Sequence, residues 1–439
     1  MNKQKKNDLP SWLMARPAPP SPILEPGIHH YSRDDSGTYT RFHLRIDPDG
    51  QGNLLVNATV AARLSQSGAM IAKGLLDGKS TIDIITSVKK SFRGASHEKL
   101  EHDISQVATI ISDLSLPGDN YPIINLDDSV VSSYAARLMA PMRADISIAS
   151  NSDIPKILDR LWDVGIPHVT FVFGKRSEAK LLIRSVERAE DLGMIAGVRG
   201  RAKDLGHVGV ARDLAYAGAD YISLFYASAD EQIHDGLLGA GDYRSVEPLF
   251  AAIRELEVTR SADIPLTFST IDALGDTLFS LRHMDISNVN FFAIALPDGA
   301  HSGEESGALS ASALPQIADL VEEWASESDV RYVWQPALWR NLNIDLDEQV
   351  QMGARCSDDL SVRIEPGGEV IPARGPYESA GNILLDEWES IWNHQSFRRY
   401  RERVEMPTRC EECPGLAICA ADCPREVSGW SRMAGVELK

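Results

Sequence analysis

Residues 168–199 read HVTFVFGKRSEAKLLIRSVERAEDLGMIAGVR. An apolar run, HVTFVF, leads into a helix-forming stretch, EAKLLIRSVERAEDLG, and MIAGVR opens the next apolar run. That is a strand, a helix and a strand, and the unit repeats on both sides. RADISIAS (143–150) precedes IPKILDRLWDVG (154–165), where Ile154, Leu158, Leu161 and Val164 share one helical face. MIAGVR leads to DLGHVGVARDLAYAG (204–218), and DYISLFY (220–226) to YRSVEPLFAAIRELE (243–257). IPLTFST (264–270) leads to ALGDTLFSLRH (273–283), NVNFFAIA (288–295) to LPQIADLVEEWAS (314–326), and VRYVWQP (330–336) closes the series. The strands read as continuous apolar runs, the pattern of parallel strands covered on both faces. Repeated βα units predict an α/β fold with a partial TIM-like (β/α)6 barrel over residues 140–335.

The wider chain sets bounds on that reading. Its 439 residues allow two to four domains, at roughly 100–200 residues each. The apolar fraction of 43% suffices for a real core. A formal net charge of −19 argues against a general nucleic-acid binder or a protein that lies on anionic lipid, with a local basic patch left open, so neither nucleic acid nor membrane is an expected partner. No apolar run approaches the roughly 18 residues of a membrane span. The stretch MNKQKKNDLPSWLMARPAPPSP lacks the apolar segment of a secretory signal. With Pro17, Pro19, Pro20 and Pro22 it predicts a disordered lead-in over residues 1–38. A cytoplasmic location is expected, and five cysteines, an odd number, argue against a disulfide framework.

Residues 39–120 form a separate block. TRFHLRID and NLLVNAT are apolar-alternating runs joined by PDGQG, a β-hairpin pattern. LSQSGAMIAKGLLDG carries Leu64, Met70, Ile71, Leu75 and Leu76 before the stop signal Gly78. STIDIITSVKKSF opens on a cap, Ser80, with Asp83 three residues on, and Ile82, Ile85 and Val88 predicted on one face. HEKLEHDISQVATIISDL places Leu100, Ile104, Val107 and Ile111 at helical spacing. A hairpin with three short helices predicts a winged-helix-like α+β domain.

The last block, 350–439, holds every cysteine and little periodicity, so something besides a large core must order it; a metal centre would serve. Within RCEECPGLAICAADCPRE (409–426) the spacing is C-x2-C-x5-C-x3-C-P, from Cys410, Cys413, Cys419 and Cys423 to Pro424. Thiolates select zinc or iron–sulfur clusters over hard cations. Structural zinc sites usually separate two cysteine pairs by a dozen or more residues. The compressed spacing ending in Cys-Pro is closer to the ferredoxin arrangement. The expectation is one iron–sulfur cluster, 4Fe-4S, with zinc as the alternative and four unrelated free thiols as the bland one.

From Cys356 onward the chain resembles a SPASM domain, the auxiliary-cluster module of radical SAM peptide-modifying enzymes. The resemblance rests on CSDDLSVRIEPGGEVIPA (356–373), GNILLDEWESIWNHQSFRRYRE (381–402) and CEECPGLAICAADCP (410–424). Cys356 matches the family's first cysteine, Ala373 stands where a second is usual, and no cysteine follows Cys423. By resemblance, Cys410, Cys413 and Cys419 are three ligands of one cluster, with Cys423 or Cys356 as the fourth. Five thiols cannot fill two four-thiolate sites.

The middle block resembles the radical SAM partial barrel, with APMRADISIAS as its first strand. That family places a C-x3-C-x2-C loop after the first strand, and here ISIASNSDIPKIL runs straight into a helix with no cysteine before Cys356. HVTFVFGKRSEAKLL resembles the strand and loop that read F-x-G-G-E-P in the family. Phe173 replaces a glycine, Gly174 is kept, and Lys175 and Arg176 stand for Glu and Pro. The family's glutamate meets the methionine amino group, which a cation would repel. S-adenosylmethionine is therefore not an expected cofactor, and the resemblance implies a pseudoenzyme with the scaffold kept and the reactive centre lost. NLLVNATVAARLSQSGAMIAKGLLDGKSTIDIITSVKKSF (53–92) resembles a PqqD-like leader-recognition element, in which a precursor's leader peptide adds a strand to an exposed edge. That edge is expected at Asn53, Leu54, Leu55, Val56 and Asn57, with helix 97–114 as the groove; the bland alternative is a small domain that only packs on the barrel.

Weaker signals complete the reading. Lys175 and Arg176 at a strand's C-terminal end are candidates for an anion site at the barrel mouth, or a solvated loop. His234 with Asp235 suggests acid–base work, with a structural or substrate-lining role preferred. His29 and His30 read as solvated. The function expected is an accessory protein of ribosomal-peptide maturation that binds a precursor peptide, carries one cluster and acts beside a complete radical SAM enzyme or other maturation protein. The alternatives are a peptide-modifying enzyme using the remaining cluster or an open iron, and a zinc-stapled peptide-binding module.

Overall fold

A computed structural model describes residues 24–35, 38–47, 50–56, 60–92, 94, 96–115, 139–174, 178–206, 208–256, 258–296, 303–357, 361–374 and 377–398. The N-terminal unit opens with an antiparallel meander: β1 (Gly27–Asp35), β2 (Thr38–Ile46), β3 (Gly52–Val56) and β4 (Val60–Leu64), neighbouring in that order. Three helices follow, α1 (Gln66–Leu76), α2 (Thr81–Ser91) and α3 (His97–Ser115). The predicted β2–β3 hairpin forms, with Phe42 opposite Val56 and Ile46 opposite Gly52. Gly27–Asp35, expected in an unstructured lead-in, instead pairs with β2 over its whole length. Among the described residues the unit is thus a four-stranded meander plus helices, with one strand added on each side of the predicted hairpin.

Strand alternation decides what each face of this meander does. Phe42, Leu44 and Ile46 join Leu54 and Val56 against the helices, where Ile71, Ile84, Val88, Leu100, Ile104 and Ile111 are buried with them. On α2 the apolar face is Ile84, Ile85 and Val88, while Ile82 is 72% exposed. The expected Ile82–Ile85–Val88 face is shifted because α1 packs on the Ile84 side, where a Cβ on Gly74 would come within 2.7 Å of Ile84, and that leaves Ile82 pointing away. Ser80 caps α2 as read: its Oγ accepts from the Asp83 amide at 3.2 Å and donates to the Asp83 carboxylate at 2.6 Å.

The other face of β2 carries Arg41, His43 and Arg45, and it docks on the barrel. Arg45, fully buried, donates to the carbonyls of Ala140 at 3.1 Å and Pro141 at 2.9 Å and lies 3.5 Å from Asp47. Arg41 pairs with Glu190 and Asp220, and His43 Nε2 meets the carbonyl of Gly193.

The barrel runs β5 (Arg143–Ser147), α4 (Ile154–Asp163), β6 (His168–Phe173), α5 (Ala179–Asp191), β7 (Ile195–Gly200), α6 (Ala202–Leu205), α7 (Val208–Tyr216), β8 (Tyr221–Phe225), α8 (Glu231–Leu238), α9 (Tyr243–Glu255), β9 (Thr259–Leu266), α10 (Leu274–His283) and β10 (Asn288–Leu296). Strands β5 to β10 are parallel and neighbour each other in chain order, as one curled half-barrel sheet in an α/β fold. Beyond β10 come β11 (Leu309–Ser310), α11 (Leu314–Glu327), β12 (Arg331–Trp334), β13 (Leu338–Trp339) and α12 (Leu346–Met352), with β11, β12 and β13 all parallel to β10. The hairpin β14 (Ser361–Ile364) and β15 (Val370–Pro372) then closes on the opposite edge, where β14 lies parallel to β5. A short helix, α13 (Trp388–Trp392), follows. No described helix is long and apolar enough to cross a membrane.

Two sequence readings of the barrel change. Strand β9 begins at Thr259, five residues before the expected Ile264, because in its start, TRSAD, the polar Ser261 and Asp263 alternate with residues on the other face and make no apolar run. The strands are also not apolar on both faces. Ala144, Ile146, Val169, Phe171, Ala196, Val198, Ile222, Leu224, Ala262, Ile264, Val289 and Phe291 pack under the helices, and the residues between them are largely polar.

Replacing Ser80 with Ala is expected to lower stability by about 1 kcal/mol through loss of the cap. Ile82→Ser, on the exposed side, is expected to stay within about 0.5 kcal/mol. Urea unfolding midpoints of the two variants check both values.

Candidate functional site

The concave face of the half-barrel is the candidate site, because parallel α/β barrels place their chemistry at the C-terminal ends of the strands. Its residues come from alternation: Arg143, Asp145 and Ser147 on β5, His168 and Thr170 on β6, Arg199 on β7, Tyr221 and Ser223 on β8, Asp263 on β9, and Asn288 and Asn290 on β10. All are buried.

Arg199 is the hub. Its Nη1 donates to Asp145 Oδ1 at 3.2 Å, and its Nε lies 2.5 Å from Asp263 Oδ2 as an ion pair not aligned for a hydrogen bond. Asp263 also accepts from Ser223 Oγ at 2.9 Å and Asn290 Nδ2 at 2.5 Å. In a flat sheet β5 and β9 would stand four spacings apart, about 19 Å. One guanidinium between their carboxylates is possible only because the sheet curls. These charges are held below 4% side-chain exposure, so their attraction is weakly screened and any unpaired member is costly.

The segment after α12 also enters the concavity. Ser357 enters it: its amide donates to Asp145 Oδ2 at 2.7 Å, its Oγ donates to Asp145 Oδ1 at 2.7 Å, and Arg199 Nη2 donates to that Oγ at 3.1 Å. Upstream, Gly353 lies against the Phe225 ring at φ +71°, and a Cβ there would come within 2.6 Å of the ring. Phe225, Leu237, Phe292, Ile294, Leu338, Val350 and Ala354 make an apolar plug at this level. Gln351 ties α12 down, accepting from Arg201 Nη1 and donating to the carbonyl of Leu237 at 3.1 Å.

The link from β5 to α4 spans residues 148–153, all described. Ser152 N donates to Ala149 O at 3.0 Å, and Ser150 N donates to Glu178 Oε1 at 3.1 Å, which closes the turn. No thiol lies in this link, so three-thiolate ligation of a cluster does not fit it. Beside it, Glu365 accepts from Ser147 Oγ at 3.4 Å, pairs with Arg363 Nε at 3.3 Å and accepts from the Tyr377 hydroxyl. Burial, with the Glu365 carboxylate adding to it, pushes the Tyr377 phenol up despite the Arg363 charge. Arg355 stacks over the Tyr377 ring at 5.0 Å.

The residues singled out from sequence fall in different places. Cys356 is a fully buried thiol next to Ser357, with no disulfide among the described residues. Cys410, Cys413, Cys419 and Cys423 lie outside the described residues, as do Lys175, Arg176 and Asn57. Among the described residues, no three His, Cys, Asp or Glu side chains gather as a metal site. Asn53, Leu54, Leu55 and Val56 form β3, which is hydrogen-bonded to β2 on one side and β4 on the other. The edge expected there is therefore inside the sheet; Asn53 donates to Asp47 at 2.6 Å, and Leu54 and Val56 are under the helices. The outer strand on that side is β4, which pairs with β3 alone among the described residues. His234 does not pair with Asp235. Its Nε2 lies 3.1 Å from Asp242, while Asp235 accepts from the amides of Gly241 at 2.7 Å and Tyr243 at 2.9 Å. Both acids hold the α8–α9 turn. The Arg199 cluster was missed, and its signal is the polar alternation R-A-D-I-S and S-A-D-I-P in strands read as apolar.

No family model and no curated protein matches the chain. Among solved structures, SuiB of Streptococcus suis bound to its precursor peptide SuiA is similar at a TM-score of 0.54 and 15% identity, over 90% of this chain and 95% of that one. SuiB bound to S-adenosylmethionine gives 0.50 and 13%, again over 90% and 95%. At this identity the likeness is one of fold: the chain shares the half-barrel fold of SuiB.

Arg199→Leu is expected to lower unfolding free energy by about 3–5 kcal/mol, because it strands two buried carboxylates. Arg199→Lys is expected to recover only part of that, since a point charge cannot bridge β5 and β9 together. Denaturant titration of the three chains reads the series.

Proposed function

We propose that the chain is an accessory, non-catalytic protein of ribosomal-peptide maturation. It binds a precursor peptide, carries one iron–sulfur cluster and acts in the cytoplasm beside a catalytically complete partner. The observation that carries the reading is the short β5–α4 link: it holds no thiol, and the concave face beneath it is taken by Arg199, Asp145 and Ser357. A cluster that injects an electron has no side-chain substitute. The fold likeness to a protein solved with a bound precursor peptide supports the peptide part.

In this reading Cys410, Cys413 and Cys419, with Cys423 or Cys356, hold the cluster. The leader peptide adds a strand at β4 rather than at β3, since main-chain donors and acceptors are needed on an outer edge. Lys175 and Arg176 are the proposed contacts for an anionic group of the peptide.

Protein purified without oxygen is expected to contain about four iron and four sulfide per chain, falling to background in Cys413→Ala. Stoichiometric zinc without iron would leave a peptide-binding module with no electron-relay role. Equilibrium dialysis against S-adenosylmethionine is expected to show no retention; stoichiometric binding, or peptide modification by this chain alone, would overturn the accessory reading. Hydrogen exchange with a synthetic SuiA leader peptide as probe is expected to slow the amides of residues 60–64 and leave β3 unchanged.

A further inference from the structure

We infer that the seat of the N-terminal unit on the barrel is a proton-sensitive joint, in which His43 holds the two together only as a neutral imidazole.

The joint is built on strand period. Arg41, His43 and Arg45 occupy one face of β2, and Leu55, opposite His43 on β3, shares that face and is 1% exposed. His43 is fully buried. Its Nε2 meets the carbonyl of Gly193, and a carbonyl only accepts, so Nε2 carries the hydrogen. The other nitrogen, Nδ1, is buried and has no partner among the described residues. A second proton would therefore create a buried N–H with nothing to accept it, on a cation with no counter-charge of its own.

The surroundings offer no remedy. His30 on β1 lies over His43, ring centroids 4.8 Å apart, and Trp162 of α4 closes that side at 6.2 Å from His30. Arg41 and Arg45 flank it along β2, and His168 on β6 and Arg143 on β5 lie beyond. The nearby acids are engaged: Glu190 at the end of α5 and Asp220 before β8 pair with Arg41, and Asp47 lies against Arg45. Gly193 itself sits at φ +73°, the left-handed residue that ends α5, and a Cβ there would come within 2.5 Å of His30. Burial pushes His43 down to about 3; the Gly193 carbonyl opposes this, and His30 and Arg41 reinforce it.

The sign follows from linkage. A histidine neutral when docked and ordinary when exposed takes up a proton on undocking, so docking is strongest above pH 6.5 and weakens as pH falls toward 3. Each pH unit in that window costs about tenfold in the docking constant.

The test uses the full chain with Leu55→Cys as a probe, and Ala262→Cys, at a fully buried position of β9, as the reporter of barrel opening. Thiol labelling at each site is followed by mass spectrometry and corrected for thiolate fraction, with and without His43→Gln, which keeps a donor for Gly193 but cannot ionise. At position 55, labelling of the chain that keeps His43 is divided by labelling of the His43→Gln chain. This ratio is expected to rise about 15-fold in all from pH 6.5 to 5, approaching tenfold per pH unit at the lower end, with position 262 unchanged. Equal pH dependence in both chains, or labelling at 55 and 262 rising together, overturns the joint. If His43→Gln fails to dock at pH 8, imidazole NMR of the unsubstituted chain decides instead. His43 neutral at pH 5 supports the inference; titration near 6.5 with Leu55 still buried overturns it.

Discussion

A guanidinium buried in the middle of a parallel sheet must find its counter-charges on the strands around it. Arg199 finds them on β5 and β9, each two strands away, and so fixes how tightly the half-barrel curls. The same contacts draw in Ser357 from the segment after α12, and with it Gly353 against Phe225. Curvature, the apolar plug and the position of β14 beside β5 are therefore parts of one arrangement. A sheet of this curvature with an apolar interior would not need Ser357 where it is.

The charge network also separates scaffold from chemistry. Fold likeness to an S-adenosylmethionine-binding protein sets the order of strands and helices, and function resides in what is grafted on them. Around Arg199 the concave face is engaged internally: carboxylates meet a guanidinium, hydroxyls meet carboxylates, and aromatic rings pack nearby. Asp145, Ser223, Asp263 and Ser357, which would greet a ligand there, are already engaged with Arg199 or with each other.

Much of this was legible from the residues. Ser80 capped α2 and the four apolar positions of α3 were buried as their spacing required, because helix caps and helical faces are local properties. The β2–β3 hairpin and the βα alternation were legible for the same reason. What failed depended on neighbours far away in sequence. A strand such as RADIS can be read as broken apolar or as alternating, and only the helices on one side and Arg199 on the other decide. Which strand of the meander is outermost, β3 or β4, is likewise invisible until the pairing of β4 is known. His234 found Asp242 rather than its chain neighbour because adjacent residues on a helix point apart.

The pairing of β14 with β5 bears on how the chain comes to be folded. Ser147 and Glu365, joined across that edge, are 218 residues apart. At about 5–20 residues per second, synthesis leaves the β5 edge without its final neighbour for roughly 10–40 s after β5 is made. An unpaired strand edge is a template for other chains. The nascent half-barrel therefore carries an adhesive border for most of its own synthesis, and the hairpin near its far end is what seals it.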